Sequence, residues 1–294
     1  MANSPATQKS LFTPRALALG DPDYPPPLHD LKQPPEMLWY IGELSVLSAP
    51  CVAIVGTRRA TMYGERVTRE LAASLARAGA CVISGMARGI DGAAHRGALD
   101  VGGKTVAVLG TGVDLVYPAA HRALHEKIGT SGLLLSELPP GTHSHGGSFK
   151  LRNRIIAALA PLTIVIEAPI QSGALGTADI ADELNRDVGI VPGPIDSPQS
   201  EGSNRLLRDG AHPIMCPADA LTLLGLTSPP VPSSLNLDDP DQASIWRALR
   251  DGPADLDTLC HRASLPVQRC LAAVTALELR GAVECALTGE VRKR

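Results

Sequence analysis

The sequence predicts an α/β protein in which a parallel sheet carries helices on both faces and a small C-terminal module follows. From residue 51 onward, short apolar runs of strand length alternate with amphipathic helical segments, as in doubly wound parallel sheets. A linker rich in proline and serine is predicted at 226–241. After it, at 242–294, three helical patterns precede a strand-like stretch, the outline of a winged helix. A plain three-helix appendage is the alternative for this module.

The main domain is predicted at 51–225, and each of its strands except the last is followed by a loop and a helix. Strands are expected at 51–55, 81–84, 105–109, 133–135, 162–166 and 188–191, and helices at 64–78, 89–99, 119–127, 154–160 and 175–185. Residues 1–50 are predicted to be a proline-rich lead-in that packs on this domain. Because ligands of such sheets bind beyond the carboxyl ends of the strands, function is sought in those loops.

Composition narrows the class of protein. Only 3% of the 294 residues are aromatic, which argues against platforms that stack successive RNA bases on aromatic side chains. The six cysteines stand without CxxC spacing and are predicted to be reduced core residues rather than zinc ligands. No apolar run reaches membrane-spanning length, so a soluble, cytoplasmic protein without a membrane partner is expected.

The formal net charge of −3 conceals an uneven distribution. Residues 51–160 hold 13 Lys and Arg against 7 Asp and Glu, a net of +6, whereas residues 161–227 hold 3 against 9, a net of −6. Such an asymmetry is typical of a local anion-binding surface that the overall charge hides. A random excess spread over the whole surface is the alternative.

The stretch 148–156, Ser-Phe-Lys-Leu-Arg-Asn-Arg-Ile-Ile, combines three cations with one of the two phenylalanines at the start of an apolar helix. Free backbone N–H groups and the positive end of the helix dipole add to the side-chain charge there. The pattern predicts a site for an anion that carries a flat group. Alternatively, the arginines form surface ion pairs and Phe149 caps the core.

Glycine follows four of the predicted strands, and cations stand near three of these loops. The loops are Gly56-Thr57-Arg58-Arg59, Ser84-Gly85-Met86-Ala87-Arg88, Gly110-Thr111-Gly112 and Ser172-Gly173-Ala174. Glycine lets the backbone approach a ligand, and threonine and arginine side chains bond phosphate oxygens. Each loop alone is common in this architecture, but four on one rim predict a phosphate-bearing ligand.

A search for catalytic motifs finds none. Walker, GxGxxG, HExxH and GxSxG patterns are missing from the sequence. His121 and His125 have the i, i+4 spacing of metal ligands but lack a third partner. Glu137 and Glu167 follow strands, where each could act as a general base or, as we expect, bond buried loop N–H groups. The chain is therefore expected to be no enzyme and to hold no cofactor or metal.

Six motifs, taken in order, resemble the bacterial DNA-processing protein A family (DprA, also called Smf). They are Val-Ala-Ile-Val-Gly-Thr-Arg, Ser-Gly-Met-Ala-Arg-Gly-Ile-Asp-Gly-Ala-Ala-His, Val-Leu-Gly-Thr-Gly-Val-Asp-Leu-Val-Tyr-Pro, Ser-Glu-Leu-Pro-Pro-Gly-Thr, Phe-Lys-Leu-Arg-Asn-Arg-Ile-Ile and Ser-Gly-Ala-Leu-Gly-Thr-Ala. The likeness spans about residues 24–225. It implies an extended Rossmann-like fold, a homodimer that binds single-stranded DNA, and a mediator role in natural transformation. Such proteins shield the incoming strand and help to load the RecA recombinase.

The resemblance also assigns site residues. The family's phosphate-binding arginine corresponds to Arg58, and its Phe-x-x-Arg-Asn motif corresponds to Phe149, Arg152 and Asn153. With the neighbouring loop groups, the predicted DNA contacts are Gly56, Thr57, Arg58, Arg59, Ser84, Gly85, Arg88, Phe149, Lys150, Arg152, Asn153, Arg154, Ser172 and Gly173.

Two positions depart from the family pattern. Gly146 stands where many members carry a basic residue, and Lys150 stands where they usually carry proline. We infer that Lys150, helped by His143 or His145, replaces the missing cation. From the resemblance, we expect the proline-rich lead-in to stand in place of the N-terminal helical domain of many members.

The segment 202–211 resembles the dimerisation helix of the family. Leu206 and Leu207 are adjacent, so on a helix their side chains point about 100° apart. We expect one to pack inward and the other to join the interface of a homodimer. That both are ordinary core residues is the alternative.

Two other functions are weighed against DNA binding. Related Rossmann-like folds include enzymes that process nucleotides or ribosyl phosphates, but their loop glutamate has no counterpart in residues 171–179. A transcription regulator is the other reading, prompted by the C-terminal module. Residues 228–294 hold 8 Lys and Arg against 9 Asp and Glu, however, which favours contacts with protein or weak contacts with DNA.

Overall fold

The computed structural model describes residues 12–227, 239–279, 282–286 and 289–293. The chain divides into two compact units, Met1–Pro229 and Pro230–Arg294. Most of the predicted linker, residues 228–238, lies outside the described residues.

The first unit contains all the strands and helices that the sequence predicts between residues 51 and 191. Its strands are β1 (Arg15–Ala18), β2 (Met37–Gly42), β3 (Cys51–Val55), β4 (Cys81–Ser84), β5 (Thr105–Val108), β6 (Leu133–Ser136), β7 (Leu162–Val165), β8 (Asp187–Ile190) and β9 (His212–Pro213). Its α-helices are α1 (Met62–Arg77), α2 (Ile90–Asp100), α3 (Arg122–Ser131), α4 (Ser148–Leu159), α5 (Gly173–Glu183), α6 (Glu201–Arg208) and α7 (Pro217–Leu223).

The strands form one sheet in the order β1-β2-β6-β5-β4-β3-β7-β8-β9. Strands β3 to β9 pair in parallel, whereas β2 pairs antiparallel with β6, and β1 antiparallel with β2. The proline-rich lead-in therefore does more than pack on the domain, because it extends the sheet by two strands. Its apolar run Met-Leu-Trp-Tyr-Ile lies between loops, and Tyr40 is placed opposite Leu135 of β6.

Alternate side chains of β3 pack into two hydrophobic cores on opposite faces of the sheet. Ala53 and Val55 pack with residues of α4 and α5, and Val52 and Ile54 pack with residues of α1, α2 and α7. All four side chains are buried. This burial on both faces explains why the central strands are continuous apolar runs in the sequence.

The order in which parallel strands are added to the sheet reverses between β3 and β7. From β3 the sheet grows through β4 and β5 to β6, and the chain then returns to place β7 on the other side of β3. The loops that follow β3 and β7 diverge at this switch point and leave a crevice beyond the carboxyl ends of the strands. Ligands of open α/β sheets bind in such crevices.

The second unit consists of α8 (Pro240–Ala248), α9 (Leu256–Ala263), α10 (Val267–Leu279) and a two-stranded antiparallel ribbon. The ribbon pairs β10 (Val283–Cys285) with β11 (Val291–Lys293). Ile245, Leu259 and Leu277 are fully buried in its own core. Three helices followed by a ribbon confirm the predicted winged helix.

Candidate functional site

A cleft of about 430 Å³ lies at the switch point between β3 and β7. Residues 55–59, which follow β3, form one wall, and residues 171–174, which follow β7, form another. The first turns of α4 complete it with Phe149, Lys150, Arg152 and Asn153. We call it the switch cleft. It brings together loops that the sequence predicts as ligand-binding but that lie more than 100 residues apart in the chain.

The β3–α1 loop is fixed by its own backbone. The N–H of Thr57 donates to the carbonyl of Glu167 over 2.7 Å, and the N–H of Ile90 donates to the carbonyl of Thr57 over 3.3 Å. A β-carbon on Gly56 would lie 2.5 Å from the Ile90 side chain, so only glycine fits there. The Thr57 hydroxyl accepts a bond from the backbone N–H of Arg59 and is buried. That side chain shapes the loop and lines the switch cleft, and its contact with a phosphate remains a prediction.

Three side chains, two from separate loops and one from the first turn of α4, contact one another at the mouth of the cleft. The guanidinium carbon of Arg58 lies 5.0 Å from the centre of the Phe149 ring, within the range of a cation–π contact. The Tyr117 and Phe149 rings are 5.5 Å apart, with 33° between their planes. A β-carbon on Gly110 would lie 2.7 Å from the Phe149 ring, so this glycine makes room for the ring. Phe149 is half-buried and is more than a cap on the core, since it lines the open cleft.

Four cations with exposed side chains lie around Phe149: Arg58, Arg59 and Lys150 line the switch cleft, and Arg88 lines an adjoining cleft. Across the described parts of the chain, none of them forms an ion pair, although other arginines of this unit do. Exposed cations without a carboxylate partner are available to neutralise an anionic ligand. Four of the 13 cations of residues 51–160 thus lie on this rim.

Arg152 and Asp91 form a buried, charged floor. Asp91 accepts bonds from the backbone N–H groups of Gly85 and Ala87 over 3.1 and 3.3 Å. Arg152 donates to the Val108 carbonyl over 2.8 Å. Burial lowers the pKa of Arg152 to about 10, and the charge of Asp91 opposes this shift. Burial raises the pKa of Asp91, with Arg152 acting in the opposite direction.

Gly85 leaves the space that the Arg152 guanidinium occupies in this floor. A β-carbon there would lie 1.5 Å from the Nη1 atom of Arg152, so any larger residue would displace the guanidinium. Arg152 itself is 6% exposed. Both residues were predicted DNA contacts, and the structure places them beneath the rim, where they hold its loops.

Two predicted contacts are wrong in their side-chain placement. Ser84 is fully buried, and its hydroxyl donates to the Ile54 carbonyl over 2.6 Å, because β4 is covered on both faces. Arg154 points toward the lead-in, where it donates to the Gln33 carbonyl over 2.7 Å and pairs with Glu137 over 2.5 Å. Neither side chain lines the switch cleft.

The opposite wall is the start of α5. The Ser172 hydroxyl accepts a bond from the Ala174 N–H and caps the helix, while Gly173 is exposed with open space at its α-carbon. The Asn153 side-chain amide donates to the Gly173 carbonyl over 3.1 Å and so ties α4 to α5. The predicted residues Asn153, Ser172 and Gly173 all line the cleft.

The other titratable residues of the sequence search have structural partners. The Nδ1 atom of His121 lies 3.0 Å from the Met86 carbonyl, and the Nε2 atom of His125 lies 3.0 Å from the Val113 carbonyl. Glu167 accepts from the backbone N–H of Thr61 over 2.9 Å, as predicted, whereas Glu137 pairs with Arg154. In residues 12–227, 239–279, 282–286 and 289–293, no three His, Cys, Asp or Glu side chains form a possible metal site.

Lys150 lines the switch cleft, whereas the two histidines expected to help it do not. Lys150 is exposed and lines the switch cleft. His143 and His145 belong to the turn before α4 and line neither this cleft nor its neighbour. Of the three, only Lys150 is placed to supply the cation that is missing at Gly146.

A second cleft of about 470 Å³ borders the first and shares Arg58, Phe149 and Arg152 with it. Tyr117, which the sequence reasoning overlooked as a contact, lines this second cleft. The signal was present, since Tyr117 lies in one of the quoted motifs, in the loop after β5. We call this space the tyrosine cleft.

Leu206 and Leu207 lie on α6, and the expectation that only one packs inward is wrong. Both are half-buried and both contact the same core. Leu206 also lines a groove of about 720 Å³ that includes Lys150 and Gly173. Each leucine therefore keeps part of its surface exposed.

Across the described stretches of the chain, no helix has both the length and the apolar character needed to cross a membrane.

Comparisons with known proteins show the family of the chain. The family model described as DNA recombination-mediator protein A matches residues 15–225, and the model described as DprA winged helix domain matches residues 228–286. Protein Smf of Synechocystis sp. is 45% identical over 216 residues, which are 72% of this chain and 54% of that protein. The chain thus spans about half the length of this relative.

Two solved structures are similar to the first unit. That of DNA processing protein A from Streptococcus pneumoniae has a TM-score of 0.69 at 39% identity, covering 71% of this chain and 73% of that one. That of DNA processing protein A from Helicobacter pylori has a TM-score of 0.68 at 32% identity, covering 74% of this chain and 98% of that one. The Helicobacter pylori structure is described as giving insight into a single-stranded DNA binding mode of that protein.

Proposed function

The chain belongs to the DNA recombination-mediator protein A family, and from this we propose that it binds single-stranded DNA in the switch cleft. The observation that carries the proposal is the set of four exposed cations, unpaired within the described residues, around one partly exposed aromatic ring. Cations neutralise successive phosphates, and an aromatic ring accepts any base by stacking. This combination is typical of proteins that bind single strands without reading their sequence.

The same geometry favours a single strand over a duplex. The Phe149 ring needs a base whose face is free, and in duplex DNA each base face is already covered by its neighbours. The cleft has a volume of about 430 Å³ and is bounded by the first turns of α4 and α5. Losing one base–aromatic stack weakens the free energy of binding by about 1–3 kcal/mol.

We propose further that the protein is a binding mediator in natural transformation, where it shields incoming strands and passes them to the RecA recombinase. The family description as a recombination mediator supports this role. RecA filament formation on strands already coated by single-strand-binding protein measures it, and the protein should accelerate that step.

We expect an oligothymidylate to bind at least about tenfold more tightly than a duplex of equal length, because the duplex loses the base stack. Fluorescence anisotropy with labelled oligonucleotides measures both affinities at one salt concentration. A mixed-sequence single strand serves as the control and should bind as tightly as oligothymidylate. Equal affinities for single strand and duplex would contradict single-strand binding in this cleft.

We also propose that the protein is a homodimer through the exposed sides of Leu206 and Leu207. A twofold dimer pairs two switch clefts and lets one long strand engage both, which raises affinity through effective concentration. Light scattering of the wild type at micromolar concentration should give twice the 30.7 kDa of one chain. Leu206→Arg and Leu207→Arg should each give a folded monomer, while Met62→Arg, at an exposed position on α1, should remain a dimer. A monomeric wild type, or two folded leucine variants that both stay dimeric, would contradict this interface.

A further inference from the structure

We propose that the tyrosine cleft is a second base-binding subsite for the same strand, with Tyr117 as its stacking residue. The inference rests on the proposed single-strand binding in the switch cleft and extends the path of the strand beyond it. Tyr117 is 39% exposed, and its ring contacts Phe149 at the boundary of the two clefts. Bound DNA would therefore present one base to each ring.

The walls of the tyrosine cleft have the chemistry of a nucleotide site. Arg58, Arg59 and Arg88 line it with exposed guanidinium groups, and Arg152 lies in its floor. No carboxylate stands among its lining residues in the described chain, whereas Asp91 lines the switch cleft. An aromatic face beside unopposed cations fits a base together with its phosphate.

The loop that carries Tyr117 is held on several sides, so the ring is presented in a fixed place. The Leu109 N–H donates to the Leu135 carbonyl over 2.7 Å at its start. The Ser136 hydroxyl donates to the Thr111 carbonyl over 2.7 Å, and Asp114 accepts from the Gly141 N–H over 2.7 Å. A large apolar ring that is left exposed on a well-anchored loop is a common feature of binding surfaces.

The ring geometry selects unstacked bases. Tyr117 and Phe149 touch at 5.5 Å between centres with 33° between their planes, so no base fits between them. The Arg58 guanidinium lies 5.0 Å from the centre of the Phe149 ring, so a base that stacks on Phe149 shares that ring with Arg58. Two bases can occupy the two rings only when they are not stacked on each other, which favours a single strand over a duplex strand.

The affinity of a short oligothymidylate tests the subsite. Tyr117→Ala should weaken binding about fivefold or more, because one base stack is lost, with little change in the salt dependence. Tyr117→Phe keeps the ring and should bind like the wild type. Tyr63→Ala is the matched control, since Tyr63 is 41% exposed and lines neither cleft.

Photocrosslinking shows where the bases lie. Oligonucleotides that contain 5-iodouracil are irradiated with the protein, and mass spectrometry locates the adducts. We expect adducts on both Tyr117 and Phe149, and the Tyr117 adduct should persist in Phe149→Ala. Thermal unfolding of each variant shows whether it is folded.

The outcomes separate the subsite from the proposed function. If the wild type does not bind single strands, the proposed function fails. If it binds but folded Tyr117→Ala matches the wild type, the subsite is overturned and the switch cleft stands. If Tyr117→Ala weakens binding while Tyr117 forms no adduct, the tyrosine only supports Phe149, which also overturns the subsite.

Discussion

Replacing Asp91 with alanine is expected to lower the free energy of unfolding by about 2–5 kcal/mol, because two buried backbone N–H groups lose their acceptor and a nearby buried charge is left uncompensated. Asp91 is 5% exposed and accepts backbone N–H bonds from Gly85 and Ala87. Alanine leaves both N–H groups unpaired and leaves the buried charge of Arg152 without its neighbouring carboxylate. The loop that presents Arg88 is then no longer held, so DNA binding should weaken as well.

Urea unfolding measures this loss. The chain has two tryptophans, so in a Trp246→Phe background the fluorescence of Trp39 on β2 reports the first unit alone. Asp91→Asn keeps one acceptor oxygen and should cost less than Asp91→Ala. Asp179→Ala, at an exposed position on α5, is the control and should change stability by no more than about 0.5 kcal/mol. An Asp91→Ala variant as stable as this control would show that the charged floor does not hold the rim.

The second large effect is a loss of stability in acid that depends on His95. This histidine is fully buried in α2, and its Nδ1 atom lies 2.7 Å from the Thr105 hydroxyl oxygen. Since that hydroxyl donates to the Val82 carbonyl, the histidine must donate to it from Nδ1. The Nε2 atom is left without a partner among the described residues, so a proton there would be a buried charge.

Burial lowers the pKa of His95 to about 3, and the nearby His121, Arg152 and Arg96 act in the same direction. The unfolded chain binds this proton near pH 6.5, and the folded chain does not. The contribution of neutral His95 to the free energy of unfolding is therefore fully present above pH 6.5 and is lost as the pH falls toward 3. Between pH 7.5 and pH 5 the loss from this one residue should be about 2 kcal/mol.

Urea unfolding at several pH values, again followed through Trp39, checks the sign and the size. His121 and His125 also have a lowered pKa through burial and add to the total slope. The comparison with His95→Asn isolates His95, because asparagine keeps a donor for Thr105 and does not titrate. The variant should be less stable at pH 7.5 but should lose about 2 kcal/mol less on acidification. Identical pH profiles for the two proteins would contradict the assignment.

Much of the fold follows from the sequence because its periodicity is strong. The central strands are buried on both faces, so they are apolar runs that alternate with helices from residue 51 onward. The strands of the lead-in are not evident from the sequence, because prolines surround the β2 run. Its pairing with β6 depends on residues almost 100 positions away. Such long-range pairing leaves no mark on local sequence.

The site was predictable at the level of loops and less so at the level of side chains. Arg152 and Arg154 are two residues apart, which on a helix places them about 200° apart. The two side chains therefore cannot both face the same cleft, and Arg154 instead forms an ion pair with Glu137. Arg152 lies in the floor because Gly85 leaves it room, and neither α4 nor the loop after β4 reveals this fit from its own sequence.

The most direct measurement of the central claim is the salt dependence of single-strand binding by the wild type, Arg58→Ala and Arg77→Ala. Arg77 is the control because it is exposed at the end of α1, next to the start of β4 and thus at the opposite edge of the sheet. With about three to five phosphates neutralised, the slope of log K against log salt should be about −2 to −3.5 for each protomer. Arg58→Ala should make that slope shallower by about one unit, and Arg77→Ala should leave it unchanged. A flat salt response, or equal slopes for the wild type and Arg58→Ala, would contradict phosphate binding at the rim of the switch cleft.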